Sequence, residues 1–215
     1  MPTVVCYGDS NTHGADPVTL ARFPRDVRWP GVLAAELVRV AEVIEEGLNG
    51  RTTLWNDPFM AGRNGKPYLL PCLRSHEPVD VLVLMLGTND LKTIFGRQAH
   101  EIAAGVAALV EAAQVSGTGP DGGAPRVLVV APPALGPVTE RSEVWGFGAA
   151  RETSQQLPRL YRAVAELRGA AFLDASALVE GDPADGVHLN ANAHGILGRA
   201  VATIVRDLLL EADEG

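Results

Sequence analysis

The sequence has few of the features that mark disulfide-bonded or metal-binding proteins. Its 215 residues include only two cysteines, Cys6 and Cys72, and these follow no spacing motif. We therefore expect two small buried side chains rather than a disulfide. There is no His-Glu-x-x-His or Cys-x-x-Cys motif and no set of carboxylates at ligand spacing, so we expect neither a metal nor a cofactor.

Long apolar runs and clusters of positive charge are also missing. No apolar run approaches the length of a membrane span, and the chain enters a predicted strand within three residues, without a basic and apolar leader. The formal net charge is −8, with no Lys/Arg cluster, which argues against nucleic-acid binding. We expect a cytoplasmic protein that binds neither nucleic acid nor membranes.

The hydrophobic pattern alternates between strands and helices along the whole chain. Strands are predicted over residues 3–8, 41–46, 79–86, 126–131 and 171–175. Helices are predicted over residues 29–37, 68–77, 102–115, 153–168 and 191–211. This alternation predicts one domain over residues 1–215, a three-layer α/β/α sandwich around a five-stranded parallel sheet.

Three segments are rich in turn formers and are predicted to be irregular loops: residues 11–28, 54–67 and 132–152. The first follows the first strand and is a candidate pocket wall. The other two carry aromatic side chains, which suit either a substrate pocket or an interface between subunits.

The first predicted strand ends at Gly8 and delivers Asp9 and Ser10 into a turn. Ligands of open α/β sheets bind in the crevice outside the carboxyl ends of the strands, so Ser10 is a candidate nucleophile. The same residues, Gly-Asp-Ser-Asn, are about as typical of a simple turn that precedes a helix as they are of a catalytic site.

A serine nucleophile needs a base and an acid that orients the base. His188 follows the last predicted strand in a glycine-containing loop, and Asp185 precedes it by three positions. Asp182 is a competing acid, although Pro183 follows it and its reach is longer. An Asp-x-x-His loop by itself is more often incidental.

Acyl transfer also needs hydrogen-bond donors for the oxyanion. The loops after the second and third strands offer Gly50 and Asn89, beside the N–H of Ser10. Each of these residues alone is typical of a turn, but four strand-end loops that each carry a different part of one site favour a catalytic function.

Four segments resemble, in order and spacing, the four motif blocks of the SGNH hydrolases, also called GDSL esterases: Gly8-Asp9-Ser10, Gly50, Gly87-Thr-Asn-Asp90 and Asp185-x-x-His188. The resemblance spans residues 3 to about 208 and implies a flavodoxin-like sheet. It further implies that Ser10 is the nucleophile, His188 the base and Asp185 the orienting acid. The oxyanion hole would consist of Ser10, Gly50 and Asn89.

Further segments, among them Asp26-Val-Arg-Trp29 and Arg51-Thr-Thr53, resemble the bacterial arylesterase/acyltransferase branch of that family. This resemblance implies a serine esterase for short-chain acyl esters of aryl and alkyl alcohols. It also implies acyl transfer to an alcohol acceptor and a homo-oligomer that narrows the entrance to the site.

We expect seven further residues to line the substrate pocket: His13, Asn49, Thr88, Lys92, Trp145, Phe147 and Val187. Two alternatives remain open at this point. One is a carbohydrate O-acetyl esterase with the same catalytic residues. The other is a non-catalytic flavodoxin-like module that holds a phosphate or flavin on the backbone of the Ser10 turn.

Overall fold

The structure, a computed structural model, describes the backbone of residues 1–213 and the side chains of residues 1–210. It contains a five-stranded parallel sheet in the order β2-β1-β3-β4-β5, which confirms the predicted fold class. The strands are β1 Thr3–Gly8, β2 Glu42–Gly47, β3 Val81–Met85, β4 Arg126–Ala131 and β5 Ala171–Asp174.

Helices connect the strands. They are α1 Ser10–His13, α2 Trp29–Glu36, α3 Gly65–Ser75, α4 Ala99–Gln114, α5 Glu140–Val144, α6 Arg151–Ser154, α7 Leu157–Arg168 and α8 Ala191–Asp213. Within residues 1–213, none of the helices combines the length and the apolarity needed to cross a membrane.

Alternate residues of the central strands face two separate hydrophobic cores. Val5 and Leu82 point to the core formed with α3, α4 and α7. Val4 and Val81 point to the core formed with α2 and α8. Because both faces of the sheet are covered, the strands read as continuous apolar runs in the sequence.

The predicted irregular segments contain short helices that the sequence pattern did not reveal. The first of these segments, residues 11–28, begins inside α1. This single helical turn forms because the Asp9 carboxylate accepts a hydrogen bond from the N–H of Asn11 and caps it. The second segment, residues 54–67, ends inside α3. Asn64 caps this helix, since its side-chain oxygen accepts a hydrogen bond from the N–H of Lys66.

The segment 132–152 contains α5, which Thr139 caps, and the start of α6. The helix predicted over 153–168 is divided into α6 and α7 around Gln155 and Gln156. Short helices of this kind have too few residues for a 3.6-residue hydrophobic period to be recognised.

Helices α2 and α8 pack closely at Gly198. A Cβ atom at position 198 would lie 2.7 Å from the Cβ of Val32 and 2.8 Å from the carbonyl oxygen of Trp29. Gly195, on the same helix, would place its Cβ no closer than 3.4 Å to the end of the Arg199 side chain, which can move. The contact between α2 and α8 therefore requires glycine at position 198 and tolerates alanine at 195.

We predict that Gly198→Ala destabilises the protein by about 1–3 kcal/mol, because the added methyl group overpacks the helix contact. In a helix interior, alanine normally stabilises the helix by about 1 kcal/mol relative to glycine. Gly195→Ala should therefore leave the stability of the protein unchanged or increase it. Urea unfolding followed by circular dichroism measures both changes. Equal effects of the two substitutions would show that the contact between α2 and α8 does not depend on Gly198.

Candidate active site

The turn after β1 presents Ser10 at the carboxyl edge of the sheet. Ser10 is the first residue of α1, and its side chain lies at the wall of a surface cavity. The residue is 7% exposed, so the hydroxyl is accessible only through that cavity.

Ser10, His188 and Asp185 form a hydrogen-bonded row. The Oγ atom of Ser10 lies 3.0 Å from Nε2 of His188, and Nδ1 of His188 lies 2.6 Å from Oδ2 of Asp185. The other carboxylate oxygen of Asp185 accepts hydrogen bonds from the N–H groups of Val187 and His188, both at 2.9 Å. The structure thus brings together three residues that are up to 178 positions apart in the sequence.

These partners assign the tautomer of His188. A carboxylate only accepts hydrogen bonds, so the proton of the imidazole belongs on Nδ1 and the lone pair of Nε2 faces the Ser10 hydroxyl. Burial alone would raise the pKa of Asp185, but the hydrogen bonds from the ring and backbone of His188 outweigh it and hold the pKa below its usual value. Asp185 is therefore a carboxylate at neutral pH.

Asp182, the competing acid, does not contact His188 through its side chain. Its carboxylate accepts hydrogen bonds from the N–H of Ala184 and from the side-chain amide of Asn190. These contacts close the turn that begins the loop. The geometry therefore favours Asp185 over Asp182 as the partner of the imidazole.

The loop that carries Asp185 and His188 returns from β5 across the edge of the sheet and pairs with the segment after β4. The N–H of Gly181 donates to the carbonyl of Ala134, and the N–H of Gly136 donates to the carbonyl of Gly186. A Cβ on Gly136 would lie 2.2 Å from the carbonyl oxygen of Gly181, so the two backbones approach as closely as glycine allows.

Asn11 holds the two halves of the site together, and the sequence analysis missed it. Its side-chain amide donates to the carbonyl of Val187 at 3.2 Å and accepts from the N–H of Leu189 at 3.0 Å. Both bonds are buried and flank His188. The residue next to the candidate nucleophile thus fixes the backbone on either side of the candidate base.

Gly50 and Asn89 lie on the same cavity as Ser10. The side-chain amide of Asn89 donates one hydrogen bond to the carbonyl of Arg51, at 3.1 Å. Because an amide carries two N–H groups, a second donor remains for a ligand. The structure therefore places the three residues that are expected to form the oxyanion hole, Ser10, Gly50 and Asn89, around one space.

The cavity has a volume of about 220 Å³. Of the seven expected pocket residues, five line it: Asn49, Lys92, Trp145, Phe147 and Val187. Three further residues line the cavity without having been predicted to do so: Ala15, Leu20 and Met60. Leu20 and Met60 come from the first two irregular segments, which identifies residues 11–28 and 54–67 as pocket walls.

Two of the expected pocket residues, His13 and Thr88, are not among the residues that line the cavity. The backbone of His13, the last residue of α1, packs against Gly47 at the end of β2. Thr88 is buried, and its side chain lies beside the carboxyl group of Asp9. Both residues support the walls behind the site.

Two cavity side chains have specific packing partners. The ring of Trp145 meets the imidazole of His188 edge to face, with 5.5 Å between ring centroids. The ammonium group of Lys92 lies 5.6 Å from the centre of the Phe147 ring, and burial lowers the pKa of this lysine. Trp145 thus shields the imidazole, while Lys92 is a positively charged group in a largely apolar cavity.

Two buried carboxyl groups, those of Asp9 and Asp90, are adjacent in the sequence to the cavity residues Ser10 and Asn89. Burial raises the pKa of Asp9 to about 6, against a hydrogen bond from the N–H of Asn11. Burial also raises the pKa of Asp90 to about 6, although the hydroxyl and N–H of Thr53 donate to its carboxylate. The Asp90 carboxylate thus connects the loop after β3 to the segment after β2, while the Asp9 carboxylate caps α1.

The sequence and the fold were compared with those of known proteins to identify the family of this chain. The family model described as the GDSL-like lipase/acylhydrolase family matches residues 6–196. A search of curated proteins found no match.

Three solved structures superpose on nearly the whole chain, and each covers 97% of it. Est24, a carbohydrate acetylesterase from Sinorhizobium meliloti, is 41% identical, with a TM-score of 0.92 and full coverage of its own chain. The aryl esterase of M. smegmatis is 40% identical, with the same TM-score and coverage. A further carbohydrate acetylesterase family member from S. meliloti is 37% identical, is itself 99% covered and has a TM-score of 0.91.

These matches confirm the resemblance seen in the four sequence motifs. Because the family model covers most of the chain and the structural neighbours are esterases of the same length, the chain belongs to the GDSL-like lipase/acylhydrolase family and is a carboxylic ester hydrolase of the SGNH type.

Proposed function

We propose that this hydrolase cleaves short-chain acyl esters of aryl and alkyl alcohols through an acyl-enzyme on Ser10. The observation that carries the proposal is the hydrogen bond from the Ser10 hydroxyl to Nε2 of His188 at the wall of a small, mostly apolar cavity. A serine hydroxyl becomes nucleophilic when an oriented base takes its proton as it attacks.

The proposed reaction has two steps. His188 takes the proton of Ser10 as Oγ attacks the ester carbonyl, and Asp185 stabilises the imidazolium that forms. The N–H groups of Ser10 and Gly50 and the amide of Asn89 hold the negative oxygen, and His188 then gives its proton to the departing alcohol. Water attacks the acyl-enzyme with His188 again as base, which releases the acid and restores Ser10.

The volume of the cavity supports a short acyl chain. Pockets for drug-sized ligands commonly have volumes of about 300–1,000 Å³, and this cavity is smaller. The aromatic residues Trp145 and Phe147 form part of its lining. An acetyl or propionyl ester fits such a space better than an octanoyl ester.

We further propose that an alcohol can replace water in the second step. Leu20, Met60, Trp145 and Phe147 give the cavity a largely apolar lining, which favours binding of an organic alcohol beside the acyl-enzyme. The product of that step would be a new ester instead of a free acid.

A carbohydrate O-acetyl esterase is the second candidate. Two polar side chains, those of Asn49 and Lys92, line the cavity beside the aromatic rings. Such groups can donate hydrogen bonds to the hydroxyl groups of a sugar. The chemistry at Ser10 would be the same, and the candidates differ in the alcohol part of the ester.

Turnover of p-nitrophenyl esters tests the proposal. We predict that kcat/KM for p-nitrophenyl acetate exceeds that for the octanoate at least about tenfold, a difference of about 1.4 kcal/mol in activation free energy. Ser10→Ala should lower kcat at least about 10³-fold while its circular dichroism stays unchanged. A primary alcohol added in water should yield the corresponding acetate ester.

Three results would each contradict a different part of this proposal. A Ser10→Ala variant with normal turnover would reject Ser10 as nucleophile. Higher activity on acetylated sugars than on aryl acetates would favour the carbohydrate esterase. Failure of an organophosphonate to label Ser10, together with no Ser10-dependent hydrolysis, would favour the non-catalytic binding module.

We predict that Asn11 is a positioning residue for His188. Asn11→Leu removes both hydrogen bonds that flank the base, and a displacement of about 1 Å in a catalytic group can cost about 100-fold in rate. We expect kcat to fall about 10- to 100-fold while KM changes less than about threefold. Steady-state kinetics of the purified variant gives both values.

Asn192, an exposed asparagine at the start of α8, provides the control. Asn192→Leu should leave kcat and KM unchanged. If Asn11→Leu lowers the unfolding temperature but keeps the normal kcat, the residue only stabilises the fold.

We also propose that the protein is a homo-oligomer that covers the rim of the cavity. Val18, Phe59 and Val144 are 64%, 84% and 85% exposed, and each is within two positions of a cavity-lining residue. Exposed apolar side chains grouped in this way are typical of protein interfaces.

Light scattering should therefore give a mass of at least two chains. Phe59→Asp should reduce that mass, because a charge at the centre of an apolar contact is costly to bury. The same change at Val115, which is 79% exposed at the end of α4, serves as the control and should not alter the mass. A monomeric wild-type protein would exclude the oligomer.

A further inference from the structure

Glu46, Cys72 and His76 form a cluster of metal-ligating groups that the ester hydrolase chemistry does not use. One carboxylate oxygen, the thiol sulfur and one ring nitrogen lie within 4.8 Å of one another. None of the three residues lines the cavity at Ser10. Among the residues whose side chains the structure describes, this is the one group of three such ligands.

The fold brings the three side chains together from two elements. Cys72 lies in α3 and His76 directly follows the last residue of that helix, so the two side chains lie four positions apart on one face. Glu46 belongs to β2, at the edge of the sheet. Cys72 follows no spacing motif in the sequence, since Glu46 is distant along the chain, and so only a small buried side chain was expected there.

The separations suit a tetrahedral ion after a small contraction. Zinc binds Cys, His and Glu at about 2.0–2.3 Å, which places ligand atoms about 3.3–3.8 Å apart in a tetrahedron. Nε2 of His76 and Oε1 of Glu46 are already 3.1 Å apart. The widest separation must therefore shorten by about 1.5 Å at most.

The cluster has a buried and an accessible side. Cys72 is fully buried, while the side chains of Glu46 and His76 are 20% and 26% exposed. An ion can enter between the two accessible groups and meet the sulfur below them. Three protein ligands leave a fourth position for water.

Arg51 lies next to the cluster but is engaged elsewhere. Its guanidinium lies over the ring of Tyr7, at 4.1 Å from the centroid, and donates to the carbonyl oxygens of Gly8 and Glu46. Burial and the nearby Glu46 together raise the pKa of the Cys72 thiol to about 12, against the opposing effect of the Arg51 charge. The free thiol is therefore protonated, and a ligand that binds sulfur must displace that proton.

We propose that Glu46, Cys72 and His76 form a binding site for one thiophilic divalent cation, of which Zn²⁺ fits the ligand set best. On binding, the thiol loses its proton to solvent and the sulfur binds the ion. The imidazole keeps one proton, which moves to Nδ1, so that the lone pair of Nε2 binds the ion. The Glu46 carboxylate gives up its hydrogen bond to His76 and becomes the third ligand.

Titration of the full chain with Co²⁺ tests the site without reference to ester hydrolysis. We expect one ion per chain and a thiolate-to-cobalt charge-transfer band in the near ultraviolet. Zn²⁺ should displace the cobalt and raise the unfolding temperature.

Substitutions separate this site from adventitious binding. Cys72→Ser should abolish the charge-transfer band, whereas Cys6→Ser, which removes the buried cysteine of β1, should retain it. His76→Gln should weaken Co²⁺ binding at least about 100-fold, because even the outer-shell partners of metal ligands are worth about 10- to 100-fold. His76 is partly exposed, so this variant should fold even if Cys72→Ser does not.

Two results would overturn the proposal. One is a titration of the wild-type protein that shows no charge-transfer band. The other is equal Co²⁺ affinity in the wild-type protein and His76→Gln. Either would mean that the cluster is a hydrogen-bonded His–Glu pair above a buried thiol.

Discussion

The contact between the turn after β1 and the loop before α8 is the constraint on which the rest of the site depends. Ser10 and His188 are 178 positions apart, and a single hydrogen bond of 3.0 Å joins their side chains. Because β5 lies at the edge of the sheet and β1 near the other edge, the loop must cross the ends of two strands to reach Ser10. Backbone pairing at Gly136 and the side chain of Asn11 hold it there.

The electrostatics of the site follow from how each buried carboxyl group is paired. Asp185 has an imidazole and two backbone N–H groups as donors, and its pKa lies below the usual value. Asp9 and Asp90 have neutral partners, and burial raises the pKa of each to about 6. Three aspartates at one edge of the sheet thus differ in pKa because their burial and their hydrogen-bond partners differ.

The end of β2 and the loop after it contribute residues to both the cavity at Ser10 and the cluster of Glu46, Cys72 and His76. Its final residues lead to Gly50 in the wall of the cavity, while the side chain of Glu46 points to α3 and the cluster with Cys72. Arg51 connects the two, since its carbonyl accepts from Asn89 and its guanidinium holds the backbone of Glu46. Glu46 is four positions before Gly50 in the sequence, so the cluster and the wall of the cavity are close along the chain.

The sequence by itself determined the strand and helix alternation, the parallel sheet and the identity of the residues that meet at Ser10. These are readable because buried strands are continuous apolar runs and because the four motifs follow strand ends. The short helices that begin after Asp9 and Thr139 were not predicted from the sequence, because local capping stabilises them and they are too short to show a hydrophobic period. The tertiary structure alone decided contacts between distant segments. It showed that the Asp185 carboxylate and not that of Asp182 contacts His188, revealed the role of Asn11 and placed Glu46 beside Cys72, because each of these contacts depends on which backbone lies opposite in space.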